Sequence, residues 1–245
     1  MRISRLYCQS INTIDTEITL PGELSHYLIR VLRLKKGHNV IFFNNEDGLE
    51  YFAEIITADP KAAVIVAKTS QVKQNESNID IHLFQALSKG DKLELVIQKA
   101  TELGVKSITP ILSTHVDYKL TAEKQEKKQF HWQKIAISAA EQSGRVFVPK
   151  VHQIALLDQA LAENCDLKLI LHPKAHTNIK TLKQQYPNAR RFHIFIGPEG
   201  GLSQKEVDAA LNHHAIDLQL GARILRTETA PLAICAILQT LWGDF

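Results

Sequence analysis

Hydrophobic and polar positions divide the chain into two regimes. Over roughly the first 70 residues the apolar positions come in short bursts, "NVIFFNN", "LEYFAEIITA" and "AAVIVAKTS", rich in β-branched and aromatic residues. "NEDG" and "ADPK" lie between them, and that succession predicts short strands joined by turns, closing into a small β-barrel. One insert breaks the rhythm. "ELSHYLIRVLRL" carries Leu24, Leu28, Val31 and Leu32 at helical spacing. The polar "QVKQNESN", residues 71–78, then predicts a linker. Beyond it, "IDIHLFQAL", "VKSITPIL", "LKLILH", "FHIFIG" and "IDLQLG" alternate with helical stretches. In one of these, "DKLELVIQKATELG", Leu93, Val96, Ile97, Ala100 and Leu103 share a face and Gly104 is placed to end the helix. Alternation of this kind predicts an α/β fold, a parallel sheet flanked by helices, with domains at 1–72 and 73–245. Ligands of such sheets bind at the carboxyl ends of the strands, so the informative loops follow "LILH", "IFIG" and "LQLG".

The loop "FIGPEGGLSQKE", residues 195–206, is the first to inspect. Ser203 and Glu206 have the spacing of a capping box, and Leu202 with Val207 that of a hydrophobic staple. A helix capped by its own side chains has few amides left for a phosphate. The loop also lacks the Lys-Ser/Thr of a P-loop and the G-x-G-x-x-G of a dinucleotide site, and Glu199 repels a pyrophosphate. A neutral or cationic ligand reverses that argument, since Gly197, Gly200 and Gly201 let main chain approach a flat group closely. The competing reading is that these glycines only turn the chain. Further on, "LQLGARILRTETAPLAICAILQTLW" places Arg223 and Arg226 in a turn before a helix that is apolar nearly all round. Such a helix is either a central core element or one shared with a subunit interface.

Composition narrows the class. The 245 residues are 44% apolar and 22% charged with a net charge of +3, the mix of a globular protein with a real core. Three scattered cysteines, Cys8, Cys165 and Cys235, argue against a disulfide framework or zinc site, and the eleven histidines show no metal spacing. The longest apolar run, 230–238, is too short to cross a bilayer, and the N-terminus lacks a signal-peptide core, so a cytoplasmic protein without metal or membrane association is expected. Charge is nearly balanced over the first domain, yet no acid occurs from Leu24 to Asn45, where His26, Arg30, Arg33, Lys35 and Lys36 cluster. That strip is either an RNA-binding face that tracks phosphates or a merely solvated one.

Taken together, "KGDKLELVIQKATELGV" (89–105), "IGPEGGLSQKE" (196–206) and "LGARILRTETAPLA" (220–233) resemble the bacterial 16S ribosomal RNA uridine-N3 methyltransferases. These are a branch of the SPOUT, or α/β-knot, superfamily. "AAEQSGR" (139–145) and "HYLIRVLRLKKG" (26–37) extend the resemblance over nearly the whole chain. It implies a PUA-like RNA-binding barrel followed by a trefoil-knotted domain. It also implies S-adenosyl-L-methionine held by three loops, a homodimer with active sites at the interface, and 16S rRNA in the 30S ribosomal subunit as substrate. Carried onto this sequence, the cofactor-binding residues are Leu171, His172, Ile196, Gly197, Gly201, Leu220, Gly221, Ile224 and Leu225, with Glu199 bracing the loop. Methylation of uridine N3 requires loss of its proton, so a cation must steady the anion and an acceptor must stand nearby. Arg145 or Arg226 is the candidate cation and Glu141 or Glu228 the candidate base or orienter. The alternatives are an RNA-binding ribosome-assembly protein without transfer activity, or a SPOUT methyltransferase acting on another RNA.

Overall fold

A computed structural model of the chain describes residues 3–88, 90–114, 121–175 and 177–245; Lys89, which opens the first family-like stretch, lies outside them. The chain separates into two units, Met1–Glu76 with Ala140–Val148, and Ser77–Ala139 with Pro149–Phe245.

In the first unit, β1 (Ser4–Tyr7), β2 (Glu17–Thr19), β3 (Asn39–Phe43), β4 (Leu49–Thr57) and β5 (Val64–Val72) form a sheet in the order β1-β3-β4-β5-β2. The β1–β3 pair is parallel and the others antiparallel. Period-two alternation puts Tyr51, Ala53 and Ile55 of β4 into a core with Leu6, Phe42 and Ile65. Register shifts between Phe52 and Ala53 and between Ile55 and Thr57 interrupt the β4–β5 ladder, and shifts of this kind bend a strand.

The expected helix is there but does not run as its spacing suggests. Gly22–His26 (α1) passes into a π-helical turn, Tyr27–Val31, closed by the Leu32 amide donating to the Tyr27 carbonyl at 2.9 Å. The wider turn swings the position three residues after Leu28 away from the core and brings the fourth back. Leu28 and Leu32 accordingly pack inward, while Val31 is 55% exposed.

The predicted linker is tied down. Asn75 Nδ2 donates to the Gly144 carbonyl at 2.8 Å, and Glu76 pairs with the buried Arg145 guanidinium at 2.7 Å. A buried arginine must have a carboxylate or carbonyls around it, which is why 140–148 pack with the barrel strands.

The second unit holds β6 (Asp80–Ala86), α2 (Lys92–Glu102), β7 (Ser107–Leu112), most of α3 (Ala122–Ser143), β8 (Lys150–Val151), β9 (Ala155–Leu156) and α4 (Leu157–Leu161). Then come β10 (Leu167–Leu171), α5 (Ile179–Gln185), β11 (Arg191–Ile196), α6 (Gln204–Asn212), β12 (Ile216–Leu218) and α7 (Thr229–Trp242). The sheet order is β12-β10-β11-β6-β7-β8, with β9 beside β7 and every pairing parallel. On one face Phe84 stacks on Phe195 at 4.6 Å beneath α4 and α6. On the other, Phe192 meets Trp242 of α7, as alternation along β11 requires.

Helix α2 ends at Gly104, whose φ of +81° and whose approach to Gln239 (2.7 Å from an added Cβ) leave no room for a side chain. Gln239 is fully buried in α7, where its amide donates to the Leu103 carbonyl and its oxygen accepts from Ser77. No helix among the described residues is long and apolar enough to cross a membrane.

Candidate functional site

β12, β10 and β11 are neighbours in the sheet, so their carboxyl ends and the loops after them come together. The amide of His172 donates to the Leu218 carbonyl, and Gln219 Nε2 donates to the Pro173 carbonyl at 2.9 Å, joining the loops after β10 and β12. The glycine loop after β11 is set by the capping box foreseen from sequence: Ser203 accepts from the Glu206 amide, and Glu206 accepts from the Ser203 amide. Glu206 also accepts from the Thr114 amide at 2.8 Å. Burial opposes its ionisation, yet those hydrogen bonds together hold the carboxyl below the usual range. Leu202 and Val207 of the staple enter the same core cluster.

A single hydroxyl fastens the glycine loop to the last one. Thr227 Oγ1 donates to the Gly197 carbonyl at 2.7 Å and accepts from Gln85 Nε2 at 3.0 Å. Gln85 also donates to the Ala86 carbonyl, so its amide nitrogen is fixed as the inward donor. Both side chains are buried, and Gln85 lies at the end of the central strand β6.

These loops enclose a cavity of about 560 Å3. Its lining includes all nine residues expected to hold a cofactor, Leu171, His172, Ile196, Gly197, Gly201, Leu220, Gly221, Ile224 and Leu225, together with Arg226, Thr227 and Glu228. A volume of that size suits a nucleoside-sized ligand. Gly201 and Gly221 take φ of +75° at its edge, and no atom stands within 4 Å of where a Cβ would be, so open main chain faces the space. The Oε2 atom of Glu228 is buried and has no hydrogen-bond partner among the described residues. An orphaned carboxylate oxygen beside a cavity is a ready acceptor for a ligand's N–H or O–H.

The electrostatics differ from the sequence expectation. Glu199 is neutralised by Lys92 Nζ at 2.7 Å, and Arg223 and Arg226 stand on the rim. The acid therefore braces the loop without setting the sign of the cavity, and its exclusion of phosphate is weaker than inferred from the loop alone.

The four candidate catalytic residues part company. Arg226 and Glu228 lie together at the cavity, 3.9 Å apart, with the arginine side chain 84% exposed and the glutamate 15%. Arg145 belongs to the barrel unit, bound to Glu76. Glu141 does too: it accepts from the Tyr7 amide at 2.9 Å, and burial raises its carboxyl above the usual range against the pull of that bond and of Arg5. The five residues of the strip expected to meet RNA, His26, Arg30, Arg33, Lys35 and Lys36, are all exposed. Gln85, Thr227 and Lys92 had no role assigned from sequence. The signal for Gln85 was a polar residue at a buried position of an apolar strand, which must find a partner.

The RNA methyltransferase domain family matches residues 75–239, and the RNA methyltransferase PUA domain matches 20–68. The ribosomal RNA small subunit methyltransferase E of Buchnera aphidicola from Schizaphis graminum is 35% identical over 99% of this chain and 98% of its own. That of Bacillus subtilis is 33% identical over 89% and 88%. This chain belongs to the ribosomal RNA small subunit methyltransferase E family. A Neisseria gonorrhoeae member of that family, solved bound to S-adenosyl methionine, superposes with a TM-score of 0.91 at 32% identity over the whole of both chains. A Legionella pneumophila protein solved with its bound cofactor SAM gives 0.93 at 35%, again over both whole chains. The second unit is thus the SPOUT methyltransferase fold of that family, and the first carries its PUA domain.

Proposed function

We propose that the chain is a methyltransferase that moves a methyl group from S-adenosylmethionine to N3 of a uridine in 16S rRNA of the small ribosomal subunit. One observation carries this: the three strand-tip loops close a nucleoside-sized cavity lined by open main chain, in a chain alike end to end to relatives solved with that cofactor. Leu171, Ile196, Gly197, Leu220 and Leu225 would hold the cofactor. When bound, it supplies a methyl group made electrophilic by a sulfonium. The protein's own residues must bring uridine N3 into line, take its proton and steady the charge that spreads to the flanking carbonyls. Arg226 is the exposed rim cation for that charge, and Glu228, whose Oε2 has no hydrogen-bond partner among the described residues, is the proton acceptor or orienter. Arg145 and Glu141 support the barrel unit in this reading, because each has an internal partner.

The exposed cations of the first unit supply RNA affinity. Helix α7 leaves Leu232, Ala233, Ile237 and Leu241 half-buried, which suits a homodimer with active sites at its interface, working in the cytoplasm. The test is mass mapping of 16S rRNA from a strain lacking the protein, before and after treatment with protein and S-adenosylmethionine. One added methyl on a uridine base is expected; an unchanged RNA, or a methyl on a ribose, would overturn the assignment.

A further inference from the structure

The π-helical turn has a consequence at the surface. It leaves Tyr27, 41% exposed, and Val31, 55% exposed, among the exposed His26, Arg30, Arg33, Lys35 and Lys36. Among the described residues the Tyr27 ring has no aromatic neighbour and its hydroxyl no hydrogen bond. The turn is nevertheless held firmly from below. Leu28 is fully buried, the Leu34 amide donates to its carbonyl at 3.0 Å, and buried Ser25 bonds both the Leu20 carbonyl and the Ala63 amide. Just beyond, Arg33 takes a φ of +56°, in the left-handed region that costs a side-chain-bearing residue energy. Single π turns recur at functional sites, and here one held from below presents an aromatic side chain to solvent.

We propose that this turn is a stacking platform for an unpaired nucleotide: the Tyr27 ring, with Val31 beside it, packs on a base while Arg30, Arg33, Lys35 and Lys36 take the flanking phosphates. A flat ring inside a cationic strip is the chemistry of single-strand binding, because every base has a face to stack and every nucleotide a phosphate to neutralise. A duplex offers the same phosphates but keeps its bases stacked inside, so an exposed ring gains little from it. The platform rests on the RNA-binding part of the proposed function and is independent of methyl transfer.

The test uses the full chain and two labelled probes of about twelve nucleotides, an unstructured RNA and an RNA duplex, in anisotropy titrations over a range of salt. Tyr27→Ala should weaken single-strand binding roughly 10-fold, leave duplex binding within twofold and leave the salt slope unchanged. Tyr27→Trp should keep single-strand affinity, and Lys35→Ala with Lys36→Ala should weaken both probes and flatten the slope by about 1 to 2. Melting temperatures equal to that of the parent protein establish folding, which the exposure of Tyr27 favours. Unchanged single-strand affinity in Tyr27→Ala, equal losses on both probes, or failure of tryptophan to rescue would overturn the platform. Absence of RNA binding by the parent protein would instead overturn the RNA-binding reading itself.

Discussion

Replacing Thr227 by valine keeps the shape of the side chain and removes one hydroxyl that serves two partners. The part-buried Gly197 carbonyl loses its donor and the buried Gln85 Nε2 loses an acceptor. A neutral hydrogen bond is worth about 1 kcal/mol and an orphaned buried group about 1–3 kcal/mol, so the loop loses roughly 2–4 kcal/mol of local restraint. The two sides of the clamp do not share that loss equally. Gly197 stays seated by β11 and by Leu202, whose atoms lie 3.0 Å from where a Cβ would be. The loop carrying Arg226 and Glu228 has little else: the Thr229 and Ala230 amides return to the Arg226 carbonyl, and the arginine side chain is 84% exposed. The valine variant should therefore bind S-adenosylmethionine within about threefold of the parent while kcat falls about 30-fold, the equivalent of 2 kcal/mol in the transition state. Thr227→Ser should restore most of kcat. Calorimetry for the cofactor and a tritium-transfer assay on 16S rRNA separate the two quantities. A valine variant with parental kcat, or a serine variant as impaired as the valine one, would refute the reasoning.

Four other substitutions follow from the geometry. Gly197→Ala drives a Cβ against the Leu202 amide nitrogen at 3.0 Å, and calorimetry should show cofactor affinity reduced about 10-fold or more. Arg145→Ala strands the Glu76 carboxylate and should lower stability by about 3 kcal/mol in urea titration, whereas Arg226→Ala should leave stability unchanged and lower kcat; parental stability with lost activity in Arg145→Ala would restore it as a catalytic candidate. His193 is 2% exposed, and burial, aided by the charges of His82, Lys168 and Arg191, pushes its pKa down to about 4. Between pH 6.5 and 4 the unfolded chain binds the proton and the folded one does not. Its contribution is thus intact above pH 6.5 and lost as pH falls, by up to about 3 kcal/mol. Urea midpoints at pH 7.5 and 5 should show that loss reduced in His193→Leu; an identical pH dependence would count against it.

Some elements could be read from the chain because their causes are local. The capping box at Ser203 and Glu206, the left-handed Gly104 and the alternation along β4 depend on neighbours within a few residues. The loops that line the cavity were legible for a related reason: sheets of parallel strands bind ligands at their carboxyl ends, so finding the strands located the loops. The π turn was not legible, since Leu28, Val31 and Leu32 satisfy ordinary helical spacing and only packing of the whole turn selects the wider winding. The polar stretch 71–78 looked slack for the same reason, its partners Gly144 and Arg145 being about seventy positions away.

Short-range physics was enough to write down the alternation of strands and helices and the capping box that starts α6. Long-range contact was needed to choose among the charged residues. Lys92 meets Glu199 across 107 positions and Gln85 meets Thr227 across 142, while Arg145 turns to Glu76. A charge or amide has no role until its partner is known. Partners so far apart along the chain are brought within 3 Å only once the sheet has ordered its strands.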